Sequence, residues 1–291
     1  MRLVTYVSEN RLSIGAVEPR GVIDLAALAP DMLSLIEGGP ALLDQARALI
    51  ASASSATPID AERVTLLAPI PQPRRNIMCL GLNYAEHARE SAEARGREYQ
   101  KHAQAHPVFF TKATHTINRH EGVIPFDAEV SAQIDWEAEL GLIIGRTGKN
   151  IPIEHAYDYV FGYTCLNDIS ARDLQANHSQ FFKGKSLDGA CPLGPWIVTA
   201  DEIPDPQHLQ VTCRVNGVVK QHASTEAMIF HIPDIIAILS RGMTLDAGDI
   251  IATGTPSGVG FARKPPEFLK PGDVVEVEIE KIGVLRNRVS E

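Results

Sequence analysis

The sequence predicts an α+β protein, a catalytic domain built on a mixed, rolled β-sheet behind a small N-terminal β-rich domain. Three observations lead there. Apolar–polar alternation at period two recurs along most of the chain. Helix-like stretches are sparse. The strands do not alternate regularly with helices, as a TIM barrel or a Rossmann fold would require.

Residues 2–7 and 11–17 alternate around Ser8-Glu9-Asn10 and read as an opening hairpin. Helical stretches follow near 31–37 and 40–52. Ser52-Ala53-Ser54-Ser55-Ala56-Thr57-Pro58 reads as a linker, and a proline-rich strip runs from Pro69 to Pro73. A boundary near residue 70 divides a domain 1–70 from a domain 71–291. Strands are expected at 76–82, 107–111, 134–145, 159–167, 195–199, 209–215, 249–253 and 273–279. Asn216-Gly217 between apolar alternations signals a hairpin, and a second closes around Gly283. Helices are expected at 84–95, from Ala171, and at 233–240.

The 291 residues are 44% hydrophobic and 22% charged, ordinary for a globular chain long enough to bury a sizeable core. The net charge is −9 and the basic residues are dispersed, which argues against nucleic acid as a partner. The first ten residues are too polar for a signal peptide, and no apolar run reaches the ~18 residues of a membrane span. Cys79, Cys165, Cys191 and Cys213 are scattered without a CxxC pair, three of them in apolar strand-like runs. Buried free thiols in a reducing cytoplasm are expected.

The most informative stretch is Ile134 to Gly145. Read as a strand, Ile134, Trp136, Ala138, Leu140 and Leu142 share one face, and Asp135, Glu137, Glu139 and Gly141 the other. Glu137 and Glu139 then project the same way, about 7 Å apart. Two carboxylates so placed resist joint ionisation unless a divalent cation relieves them, and hard oxygen donors suit Mg²⁺ or Mn²⁺. A solvated acidic strand face is the competing explanation. Gly141, which leaves room beside the acids, and the apolar flanks favour the metal. The apolar run 159–166 ends in Asn167-Asp168, a common position for a third ligand. Asp173 instead fits a capping box with Ser170.

Asn83 is a credible N-cap for a helix that places His87 and Glu90 at i, i+3. Such a pair is either a general base with its orienting carboxylate or a surface ion pair. In Lys183-Gly184-Lys185-Ser186, a lysine flanked by small residues can reach an anion, although two lysines one residue apart on alternate faces cannot share one site. The loop Thr253 to Gly260 lacks the lysine of a P-loop, but its hydroxyls and N–H groups suit a carboxylate.

Together these segments resemble the fumarylacetoacetate hydrolase family. The matching elements are Gly81-Leu82-Asn83-Tyr84-Ala85-Glu86-His87, Asp135-Trp136-Glu137-Ala138-Glu139-Leu140, Asn167-Asp168-Ile169-Ser170-Ala171-Arg172-Asp173, Gly184-Lys185-Ser186, Gly194-Pro195 and Thr253-Gly254-Thr255-Pro256-Ser257-Gly258-Val259-Gly260. They occur in the family's order over roughly residues 75–289. The resemblance implies a β-roll catalytic domain, a homodimer, and Mg²⁺ or Mn²⁺ chemistry on a small 2-oxo acid. By position it implies Glu137, Glu139 and Asp168 as metal ligands. It makes Lys185 the active-site lysine and His87 and Glu90 a lid-borne dyad. Thr255, Arg172 and Gln175 become substrate contacts. The segment 91–106 is longer than the family's usual link, and it is either a lid extension that helps choose the substrate tail or a solvated helix.

The activity this implies is hydrolysis of the C–C bond of a 2,4-dioxo acid, such as fumarylpyruvate, maleylpyruvate or a dioxo sugar acid. His87 activates water, and pyruvate and a carboxylic acid are released. Decarboxylation of an oxaloacetate-like acid and 2-hydroxymuconate-type isomerisation use the same enolate chemistry and are the alternatives. A non-catalytic binding module is the alternative from another class, and a phosphate-transferring enzyme is disfavoured by the missing P-loop lysine.

Overall fold

Strand pairing in the computed structural model places the site at the middle of one large sheet. The structure describes residues 1–52, 59–60, 63–99 and 106–291. Most of the expected linker 52–58 and the central part of the lid extension, 100–105, therefore lie outside the described residues.

The large sheet runs in the order 21–24, 11–18, 2–8, 191–199, 160–167, 138–144, 250–252, 77–81 and 108–112. Ile250–Ala252 pairs parallel with Ile77–Gly81, and the other neighbours along this path are antiparallel. The sheet is mixed and the fold is α+β. The opening hairpin forms as the alternation predicts, pairing Ser8 with Arg11. Its first strand joins the catalytic sheet by pairing with Cys191–Thr199. The helices Met32–Glu37 and Gly39–Ser52 follow, and their apolar residues pack with Ile77, Cys79, Ile143 and Ile250 in one continuous core.

A second sheet, in the order 218–224, 210–215, 274–279, 283–289 and 123–124, packs on the opposite face. The Asn216-Gly217 turn closes its first hairpin, Val215 facing Val218. Both turn residues have positive φ, 50° and 77°, the left-handed geometry that this dipeptide tolerates best. The helix Ile232–Ser240 covers the same core with Ile232, Ile235, Ile236 and Leu239. Among the described residues, no helix is long and apolar enough to cross a membrane. All four cysteines are buried and free.

The apolar face expected of 134–142 is the one that meets this core, where Ile134, Trp136, Ala138, Leu140 and Leu142 all lie. The strand is not continuous, however. Ile134–Asp135 pairs with Ser170–Ala171, and Ala138–Ile144 pairs with Val160–Asn167. Between them the chain breaks at Trp136-Glu137, where the Asn167 side chain accepts the Glu137 N–H at 3.0 Å. Gly141 does not leave space beside the acids. Thr164 of the neighbouring strand fills it, and a Cβ on Gly141 would meet Thr164 Cγ2 at 2.8 Å.

Candidate active site

Glu137, Glu139 and Asp168 converge. One carboxylate oxygen from each lies within 4.8 Å of the other two. The break at Trp136-Glu137 turns Glu137 toward Asp168, whose N–H donates to the Glu137 carbonyl at 2.9 Å. All three acids are buried, which removes the solvated-face explanation. Lys185 Nζ lies 2.7 Å from Glu137 Oε2 and 2.7 Å from Asp168 Oδ2. Arg172 Nη1 is 2.7 Å from Glu137 Oε1. Lys112 Nζ donates to the Ile169 carbonyl at 3.0 Å and lies 2.7 Å from Asp168 Oδ1, without the alignment of a good hydrogen bond.

Glu139 is treated differently. Its Oε2 accepts the Gly254 N–H at 2.7 Å, and its Oε1 is buried with no hydrogen-bond partner. Burial, then the nearby Asp168 and Glu137 charges, push its carboxyl well above the usual range. Burial also pushes Glu137 upward, but Lys185 and Arg172 outweigh it and hold that carboxyl low. Burial works against the Lys185 ammonium, yet Asp168 and Glu137 raise its pKa overall. Three convergent carboxylates with two oxygens, Glu139 Oε1 and Asp168 Oδ1, lacking a hydrogen-bond donor among the described residues fit a hard divalent cation such as Mg²⁺ or Mn²⁺.

The helix Ala85–Ala94 covers these acids. His87 Nδ1 is 2.9 Å from Glu90 Oε1 and His87 is buried, so this is not a surface ion pair. The Gly258 N–H donates to both Glu90 oxygens, at 3.1 and 2.9 Å. The cap of this helix is Tyr84 and not Asn83. Asn83 is buried, and its side chain instead donates to the Thr253 and Phe230 carbonyls and accepts the Phe230 N–H.

Arg172 and Gln175 pair with each other at 3.0 Å and line the cavity under the lid with His87, Glu137, Lys185 and Thr255. That cavity measures about 30 Å³, room for only a few waters. Lys183 is exposed, and Lys185 alone of the two lysines enters the site. The Thr255 hydroxyl is already engaged, donating to the Ala138 carbonyl at 2.9 Å and accepting from Gln221 at 2.8 Å. The glycine loop's amides serve the protein's own acids: Gly254 binds Glu139, Gly258 binds Glu90, and Gly260 and Phe261 bind Asp135. The expected Ser170–Asp173 capping box does not form. Ser170 is buried in a strand pair, and Asp173 accepts from Ser131 at 2.6 Å.

Three participants escaped the sequence reading. Asp135 accepts four donors, including Arg172 Nε at 2.8 Å, and fixes that arginine beside Glu137. Lys112 had a signal, a lysine closing the apolar run Val108-Phe109-Phe110-Thr111. Gln221 had none, because its importance arises from contacts remote in sequence.

Residues 76–290 match the family described as "Fumarylacetoacetate (FAA) hydrolase C-terminal". The chain is 50% identical over 226 residues to the oxaloacetate tautomerase YisK of Bacillus subtilis (strain 168), covering 78% of this chain and 73% of YisK. Its structure resembles a fumarylacetoacetate hydrolase from Exiguobacterium antarcticum, with a TM-score of 0.85 and 41% identity over 100% of this chain and 99% of that one. It also resembles a maleylpyruvate hydrolase from Sphingobium sp. SYK-6 in complex with manganese(II) and pyruvate. There the TM-score is 0.78 and the identity 30%, over 100% of this chain and 99% of that one. The acidic triad, the capped His–Glu pair and these likenesses agree: the chain belongs to the fumarylacetoacetate hydrolase family.

Proposed function

We propose that the protein interconverts the enol and keto forms of a small 2-oxo acid of the oxaloacetate type, in the presence of Mg²⁺ or Mn²⁺. The observation that carries this is the buried His87–Glu90 pair, locked by the Gly258 amide against a cavity floored by Glu137 and Lys185. The 50% identity to an oxaloacetate tautomerase supports the same choice.

Glu137, Glu139 and Asp168 would hold the divalent ion. When bound, it supplies Lewis-acid polarisation of the substrate's carboxylate and 2-oxo oxygens. The protein's own groups do the rest. With Nδ1 held by Glu90, His87 has Nε2 available for proton transfer at the substrate's C3. Glu90 fixes the imidazole's orientation and stabilises its charge after the proton arrives. Lys185 stabilises negative charge on the 2-oxo oxygen as C3 loses its proton. Protonation of the enolate at C3 by the His87 imidazolium gives the keto form, and protonation at its 2-oxo oxygen by the Lys185 ammonium gives the enol; proton exchange between the two groups resets the site.

A second activity, hydrolysis of a 2,4-dioxo acid to pyruvate and a carboxylic acid, is favoured by one feature. A buried, carboxylate-oriented histidine is also the group needed to activate water. One assay separates the two. The enol ultraviolet band of oxaloacetate is followed with Mg²⁺ and with EDTA, and the products of oxaloacetate and of a 2,4-dioxo acid are identified by NMR. Metal-dependent loss of the enol band with oxaloacetate still intact supports the tautomerase. Pyruvate released from the dioxo acid supports the hydrolase, and pyruvate released from oxaloacetate indicates decarboxylation. No metal-dependent change with either acid overturns the proposed function.

A further inference from the structure

The lid ends in a cation that forms no ion pair among the described residues. Arg95 caps the C-terminus of the helix Ala85–Ala94, and its guanidinium lies over the Phe261 ring at 5.6 Å. The Arg172 guanidinium lies over the same ring at 4.5 Å. Arg172, Lys185 and Lys112 each face a protein carboxylate at 2.7–2.8 Å. Arg95 is exposed at the cavity's edge and pairs with no carboxylate among the described residues. Partial burial and the charges of Arg172 and Arg97 draw its pKa down, the direction expected of a cation held among cations.

Two further donors beside it are unsatisfied. Ser91 Oγ and Arg172 Nη2 are buried without a hydrogen-bond partner among the described residues, in residues that are 3% and 7% exposed. Buried polar atoms in native proteins are nearly always partnered, so two orphans on one cavity point to a ligand. His87, Ser91 and Arg95 are spaced by four and form one stripe along the lid, running from the proposed base outward. The charged residues of the lining are Arg95, Arg172 and Lys185 against Glu137, with His87 between them. In a chain of net charge −9, Arg95 is the lining cation left without a carboxylate partner among the described residues.

Resting on the function proposed above, we propose that Arg95, with Ser91 and the free Nη2 of Arg172, binds a second carboxylate at the far end of the substrate. The substrate class is then the 2-oxo dicarboxylates. The metal-side groups hold the 2-oxo acid end, and the lid's outer cation reads the tail.

The test compares the Mg²⁺-loaded full chain with Arg95→Gln and Arg95→Lys on a diacid and a monoacid of equal carbon count. Enol-band decay reports on oxaloacetate, and deuteron exchange at C3 reports on 2-oxobutanoate. Arg95→Gln is expected to raise the KM for oxaloacetate by about tenfold or more, with kcat within about threefold, while kcat/KM for 2-oxobutanoate holds. Arg95→Lys is expected to recover part of the loss. Arg89→Gln, on a residue paired with Glu86 at the lid's exposed surface, is the control and stays at wild-type values for both acids. Equal loss on both acids, or no loss on either, overturns the proposal. If the wild type turns over neither acid, the proposed function fails. Arg95 is then judged by calorimetric binding of the two acids, where an unchanged diacid preference in Arg95→Gln overturns its assignment.

Discussion

His87 and Glu90 meet within one helical turn, 2.9 Å from Nδ1 to Oε1, and the Gly258 amide of the glycine loop binds both oxygens of Glu90. Replacing Glu90 by Gln keeps the shape but removes the charge that steadies the imidazolium. We expect Glu90→Gln to lower kcat by roughly 10²-fold with Mg²⁺ affinity unchanged. Steady-state kinetics beside calorimetric Mg²⁺ titration checks this, and a parallel drop in metal affinity would show that Glu90 acts through the ligands instead.

Glu139 links metal binding to pH. Its folded pKa is raised above the ordinary value of 4.5, so it contributes stability in acid, and that contribution is lost as pH climbs from 4.5 toward the raised folded value. Thermal melts in EDTA should therefore show the wild type losing stability relative to Glu139→Gln as pH rises from 5 to 8. Parallel curves for the two proteins would contradict the strained carboxylate. Mg²⁺ should restore the wild type most at high pH, because the metal takes the deprotonated ligand. Glu139→Gln should weaken Mg²⁺ binding by more than the ~10–100-fold typical of changes around a metal's outer partners.

Lys112 is fully buried with its ammonium 2.7 Å from Asp168 Oδ1. Lys112→Met leaves the ion pair short of one partner, which costs about 3 kcal/mol. Urea denaturation of the metal-free protein measures it. A loss below ~1 kcal/mol would show that Lys185 alone suffices to compensate Asp168.

The cysteines should be chemically silent. Burial pushes the Cys165 and Cys191 thiols up to about 12, and Cys79 and Cys213 are shifted in the same direction. Thiol titration at pH 8 should find almost no reactive group in the native protein and four after denaturation. Rapid labelling of the native chain would mean that the sheet around Cys79 and Cys191 opens readily.

Period-two alternation told which side of 134–142 faces the core, because apolar burial leaves a pattern that local sequence carries. The triad was legible for the same reason: two acids on one strand face and one at a strand's end. Cap assignments at Asn83 and Ser170 were not. The Asn83 side chain is claimed by backbone groups brought in from Phe230 and Thr253, while Ser170 is held in a strand pair with Asp135 and its hydroxyl donates to the Asp168 carbonyl two residues back, so both are lost to capping. Asp135 stood on the right face, but its role depends on the Gly260 and Phe261 amides more than a hundred residues away. Gln221 could be found only in three dimensions.

His87, Glu90, Ser91 and Arg95 all ride on the lid, whereas Glu137, Glu139, Asp168 and Lys185 belong to the sheet and its flank. The cavity between the two groups measures about 30 Å³, and an outward movement of the helix that enlarged it would carry the imidazole away from the carboxylates and part Glu90 from the Gly258 amide. Recognition of the tail and assembly of the proton-transfer machinery are thus mechanically the same event. A carboxylate held by Arg95 would, through that shared helix, also hold the proposed base over the sheet's acids.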